Sequence, residues 1–132
     1  MYITSKRPKD LQVEVLGTVY KIVFKTPEED VRLLECDGYC DNSINQITIK
    51  WFTWDSMNYN DMLIYTTKCI RHEVIHAFLY QSGLDVNSLN AWARNEEMVD
   101  WLAIQLYKIN EAAFNIDQEF YKNNKKNIII EP

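Results

Sequence analysis

Apolar and polar positions alternate between Leu11 and Lys25. Leu11, Val13 and Val15 share one parity, Gly17 and Thr18 interrupt it, and Tyr20, Ile22 and Phe24 resume it. This pattern predicts two strands around a turn, with one face on a core. Thr26-Pro27-Glu28-Glu29 then carries the marks of a helix start: a threonine N-cap, a proline at the first helical position and a glutamate that completes a capping box. A short helix to about Glu35 follows, burying Val31, Leu33 and Leu34, and Asp37-Gly38 ends it. Gly38 to Ser43 reads as a polar loop. From Ile44 to Trp51 the period is two again, with Ile47, Ile49 and Trp51 on one face and Thr48 and Lys50 on the other. This is a third strand, and an edge there can pair with an extended peptide.

The period then becomes helical. After a polar and aromatic connection, Trp54 to Asn60, in which Ser56, Asn58 or Asn60 can cap, Leu63, Ile70, Val74, Phe78 and Leu79 place a helix from about Tyr59 to Gln81. Gly83 terminates it. A linker, Leu84 to Leu89, leads to a second amphipathic helix, Asn90 to Ile109, with Trp92, Val99, Leu102, Ala103, Leu106 and Ile109 apolar. Glu111 to Phe114 reads as the start of a last short helix, Lys122 to Asn127 as a solvated linker, and Ile128-Ile129-Ile130 as a terminal strand or docked tail. The expected fold is α+β: a small antiparallel sheet of about three strands packed on two principal helices, one domain over the 132 residues.

Inside the first long helix lies His72-Glu73-Val74-Ile75-His76. Residues four apart stack one turn above each other, so both imidazoles can reach one ion, and imidazole is a good zinc ligand. Glu73 sits one step round, outside the ligand set but near the water that a zinc ion activates, where a carboxylate can act as general base. The chain has only two histidines and both fall in this motif. The competing explanation is a pair of surface histidines on an amphipathic helix. A short loop would bring the second helix back past the first, and its Glu96 can then be the third ligand. Asp100, one turn on, can accept the spare ring N–H of a ligating histidine. Glu97 is the rival ligand but lacks such a carboxylate partner; a solvated acidic face at a helix N-terminus explains the same residues without a metal. Tyr80, one turn past His76, is a candidate oxyanion donor, although an interfacial tyrosine fits it as well.

Composition narrows the function. Hydrophobic content of 47% and charged content of 25% are ordinary for a soluble globular protein. A net charge of −5 argues against a broad nucleic-acid footprint. No apolar run is long enough to span a bilayer, and Met1 to Pro8 lacks the apolar core of a signal peptide, so the expectation is a cytoplasmic protein with no membrane partner. Cys36, Cys40 and Cys69 form no disulfide framework; Cys36 and Cys40 lack the second pair a zinc knuckle needs, and Cys69 reads as a small buried apolar residue.

His-Glu-x-x-His followed by Asn95-Glu96-x-x-x-Asp100 resembles the gluzincin class of zinc metallopeptidases. The stretch Glu96 to Ala103, the N-terminal strands and the glycine-bearing segment Gly38 to Ile49 look most like its compact members, the ImmA/IrrE-like peptidases of bacteria, phages and mobile elements. The resemblance covers about residues 38–107. It implies His72, His76 and Glu96 as ligands, Glu73 as base, Asp100 as partner of a ligating histidine, Zn2+ as cofactor, and a repressor-like protein or peptide as substrate. The chain departs from larger gluzincins in having no downstream histidine for the oxyanion. Tyr80, Tyr39 or backbone N–H groups would have to serve, so the alternative is a zinc-stabilised interaction module that binds without cutting.

Overall fold

The computed structural model describes residues 7–51 and 62–124. Strand β1 (Leu11–Val15) and strand β2 (Thr18–Lys25) form the expected antiparallel hairpin, in register from Leu11 opposite Ile22 to Val15 opposite Thr18. The turn is Leu16-Gly17 rather than Gly17-Thr18, with φ of 49° and 89° at the two residues. Two left-handed residues give the turn whose twist matches paired strands.

After Lys25 the chain departs from its sequence reading. The Thr26 capping box does form, since the backbone N–H and the hydroxyl of Thr26 both donate to Glu29 Oε1 at 3.0 Å. No α-helix follows it. The chain makes a turn and then a four-residue 3-10 segment, Val31–Leu34, capped by Asp30, whose Oδ1 accepts from Arg32 N at 3.1 Å. A segment so short buries one side chain, Leu33, and leaves Val31 and Leu34 72% and 69% exposed.

The polar stretch read as a loop is strand β3 (Gly38–Asp41), which folds back antiparallel on β4 (Gln46–Lys50). β4 also pairs parallel with β2, from Lys21 opposite Gln46 to Lys25 opposite Lys50. The sheet is therefore mixed and four-stranded, in the order β1-β2-β4-β3, not three-stranded and antiparallel. β4 is interior, and the edge next to it is β3. A central strand is covered on both faces, which is why Val23 and Thr48 are buried although their parity opposes the core set Tyr20, Ile22, Phe24, Ile47 and Ile49.

Helix α1 (Met62–Gln81) lies on that core through Ile70, Val74 and Ala77. Its buried stripe is Thr66, Cys69, Glu73 and Ala77, and Cys69 is the small buried residue expected. Tyr20 ties three elements: its hydroxyl donates to Asn42 Oδ1 and accepts from Gln81 Nε2, each at 2.8 Å. Gly83, with φ of 86°, ends the helix as expected. The expected connection at Trp54 to Asn60 and the terminal Ile128 to Ile130 lie outside the described residues.

The linker contains one helical turn, α2 (Leu84–Asn87), followed by a kinked 3-10 segment, Leu89–Arg94. The second long helix, α3 (Glu96–Asn124), starts six residues later than the apolar pattern indicates and runs past Ile109 without a break. Asn90 and Ala91 have φ of 57° and 55°, which no right-handed helix contains. Asn95 is the true cap, its Oδ1 accepting from Met98 N at 2.8 Å. No glycine or proline lies between Glu96 and Asn124, so nothing stops the helix where the pattern becomes more polar. No described helix is long and apolar enough to cross a membrane.

Candidate metal centre

Helical geometry orients the two histidines. His72 and His76 are one turn apart on α1, their ring centroids 4.9 Å apart and their Nε2 atoms 3.2 Å apart. Both rings point towards the first turn of α3. Glu96 is its first residue and bridges the pair, with Oε2 3.0 Å from His72 Nε2 and Oε1 3.0 Å from His76 Nε2. Asp100 lies one turn further along α3, its Oδ1 3.3 Å from His72 Nδ1 and 3.0 Å from Lys68 Nζ. Lys68 holds the Asp100 carboxyl below the usual carboxylate range, so it is an ionised acceptor for a His72 Nδ1–H. That bond directs the lone pair of His72 Nε2 at His76 and Glu96.

Glu73 packs beneath Gly38 of β3, beside the histidines, and is only 7% exposed. Burial raises its carboxyl to about 7, because the charged form loses solvation. Burial also lowers the His76 pKa. Ligand atoms of His72, Glu73 and His76 lie within 4.8 Å of one another, a group that could hold a metal ion.

Gly38 lets β3 reach this point. A Cβ there would sit 3.0 Å from Thr48 O, 3.1 Å from Ile49 Cδ1 and 3.4 Å from Glu73 Cγ. With only hydrogen at that position, β3 passes directly over Glu73. A cleft of about 390 Å³ opens between β3 and the histidines, lined by Tyr39, Cys40, Asn42, Glu73, His76 and Asp85 among others. A smaller one of about 210 Å³ lies on the other side of Glu73, beside Lys68, Cys69, His72 and Asp100.

The structure thus brings together His72, Glu73, His76, Glu96 and Asp100. It does not bring in Tyr80, which lines neither cleft. Tyr39 lines the larger cleft, but its hydroxyl donates to the Asp30 carboxylate, so it is not a free oxyanion donor. Glu97 is exposed and lines neither cleft. Sequence reasoning missed Lys68, Gly38, Asn42 and Asp85. Lys68 follows from helical spacing, one turn before His72 and therefore opposite Asp100. Asp85 is fixed by Arg94, whose Nε lies 2.7 Å from its Oδ1, a contact that depends on the kinked linker. Compared with protein-family models, curated proteins and solved structures, the chain matches none.

Proposed function

We propose that the protein is a zinc-dependent endopeptidase that hydrolyses a peptide bond in a protein partner. The observation carrying this reading is the convergence of His72 Nε2, His76 Nε2 and the Glu96 carboxylate at 3.0–3.2 Å. Three electron-pair donors so close repel unless a cation or shared protons sit among them. Donors at roughly 2.0–2.1 Å around a tetrahedral zinc ion stand roughly 3.3 Å from each other, close to the spacing found here. Two imidazoles and one carboxylate also form a donor set that zinc accepts while keeping a position open.

A zinc ion supplies Lewis acidity, acidifying water towards a pKa of about 7 and polarising a carbonyl oxygen. The chain's own groups do the rest. Glu73 accepts a proton from the attacking water and later delivers it to the leaving amine. Its burial makes it basic enough for the first task, and the cleft leaves its carboxylate accessible from the β3 side. Asp100 and Lys68 keep His72 in one tautomer. Among the described residues β3 pairs on one side only, so an extended peptide can add to its free edge and run across Glu73. A repressor-like substrate is the part of this reading that rests on the resemblance alone.

The protein is to be loaded with zinc and assayed against a library of quenched fluorescent peptides. His72→Ala and His76→Ala should lose zinc and cleavage together. Glu73→Gln should keep zinc and lose at least about 100-fold in rate. A Glu73→Gln protein that cleaves normally overturns the base assignment. The second reading, a zinc-stabilised binding module, is favoured by the engaged Tyr39 hydroxyl and the absence of Tyr80 from the lining of both clefts. It is the outcome if the loaded native protein captures extended peptides and cleaves none.

A further inference from the structure

Asn42 follows the last residue of β3 and lines the larger cleft. Its side-chain amide is turned by a chain of hydrogen bonds that runs through the core residue Tyr20. The chain has one direction. The Thr18 hydroxyl donates to Gln81 Oε1 at 3.1 Å, so the Gln81 amide presents Nε2 to Tyr20. That Nε2 donates to the Tyr20 hydroxyl at 2.8 Å, and the single phenolic proton goes to Asn42 Oδ1, also at 2.8 Å. Tyr20 is fully buried, and burial raises its pKa, so the hydroxyl keeps that proton. The Cys40 thiol donates to the same Oδ1 at 3.3 Å. Both lone pairs of Oδ1 are therefore engaged. Nδ2, with its two N–H donors, has no partner among the described residues.

The cleft narrows what that donor can hold. Its lining includes the carboxylates of Glu73, Asp85 and Glu96 and, among the described residues, no lysine or arginine. Away from the metal an anion would enter without a counter-charge, whereas a neutral carbonyl oxygen needs none. Asn42 also continues the line of β3, along whose free edge a peptide main chain can pair. We propose that the Asn42 amide holds a main-chain carbonyl of an extended peptide lying in this cleft, and that Tyr20 and Gln81 are the positioning residues that aim it. The proposal rests on the peptide-binding part of the reading above, whether or not the bound peptide is cut. Gln81, tied to Asn42 through Tyr20, is five residues past His76 on α1, a rise of about 7.5 Å. An extended chain advances about 3.3 Å per residue. The carbonyl at Asn42 therefore belongs to a residue about two or three places from the one at the histidines.

The probe is a fluorescein-labelled peptide, the tightest binder in the same library to zinc-loaded Glu73→Gln protein, followed by fluorescence polarisation. That protein holds a peptide without cutting it, so binding is read separately from cleavage by the native chain. Adding Asn42→Ala should weaken binding about tenfold, and Asn42→Asp at least as much, with zinc affinity and near-UV circular dichroism unchanged. Tyr20→Phe should weaken it too, but add nothing to a protein that already carries Asn42→Ala. Single thioamides, whose sulfur is the poorer acceptor, are then placed in turn along the peptide. One position should lose affinity for the protein with Asn42 and lose none for Asn42→Ala. An Asn42→Ala protein that binds as tightly as its parent overturns the proposal. So does a thioamide profile that this substitution leaves unchanged, or a library without a binder. Losses from Tyr20→Phe and Asn42→Ala that simply add overturn the positioning role of Tyr20. If the native chain cuts nothing while these binding differences hold, the peptidase reading falls and the Asn42 subsite stands.

Discussion

Burial moves the carboxyl of Glu73 well away from its ordinary behaviour. A carboxyl group has a pKa of about 4.3 in an unfolded chain. In the folded, metal-free protein burial lifts that of Glu73 to about 7. Between these values the native state keeps a proton that the unfolded state gives up. Stability from this group is therefore fully present below about pH 4.3 and is lost as pH rises through about 7. The loss is on the order of 3–4 kcal/mol. His76 and Asp100 have lowered pKa values and favour the opposite trend in acid, so the comparison must be with a variant that retains both. Urea unfolding in chelator between pH 4.5 and 8 should show the native protein losing stability relative to Glu73→Gln as pH rises. Parallel curves would mean that Glu73 is solvated. The identity of this residue was legible from its place between the histidines. Its burial was not, because that depends on β3 passing over it.

Among the elements, α1 carries Lys68, His72, Glu73 and His76, and the start of α3 completes the site with Glu96 and Asp100. Asn95-Glu96-Glu97-Met98 was readable as polar residues on a helix, yet the apolar pattern put the helix start at Asn90. The left-handed backbone at Asn90 and Ala91 moves that start to Glu96. Glu96 thereby becomes the residue immediately after the cap, and the Asn95 side chain on Met98 N fixes its direction. Asn95→Ala should cost about 1 kcal/mol of stability. It should also weaken zinc binding, since the third donor loses its anchor. Thermal unfolding and a zinc titration measure the two effects, and a zinc affinity that does not change would mean that Glu96 is held by other contacts. β3 was illegible for a related reason. Its side chains are mixed in polarity, and only pairing with β4 and the missing Cβ of Gly38 make it a strand over the site.

At the scale of the molecule, the site spans the packing of α1 against α3. α1 and α3 meet through Val99 and Ala103, the Lys68–Asp100 ion pair and the bond from Arg71 Nε to Ala103 O at 2.8 Å. A metal held by both helices adds its binding free energy to folding. At a zinc concentration about 1,000-fold above the dissociation constant this is about 4 kcal/mol, or a rise in melting temperature on the order of 10 °C. Differential scanning fluorimetry with zinc and with chelator measures it. Identical melting temperatures would rule out the three-donor assembly across the two helices.

The linear chain by itself determined the hairpin, the helix bearing the two histidines, its glycine stop and the residues from which a ligand set can be drawn. Those features follow from short-range periodicity and from the conformational limits of single residues, so they can be read locally. Tertiary structure decided the parallel pairing of β2 with β4, the edge position of β3, the late start of α3 and the engagement of the Tyr39 hydroxyl by Asp30. Each of these is a contact between segments distant in sequence or a backbone state selected by such contacts, and no pattern within one segment encodes it.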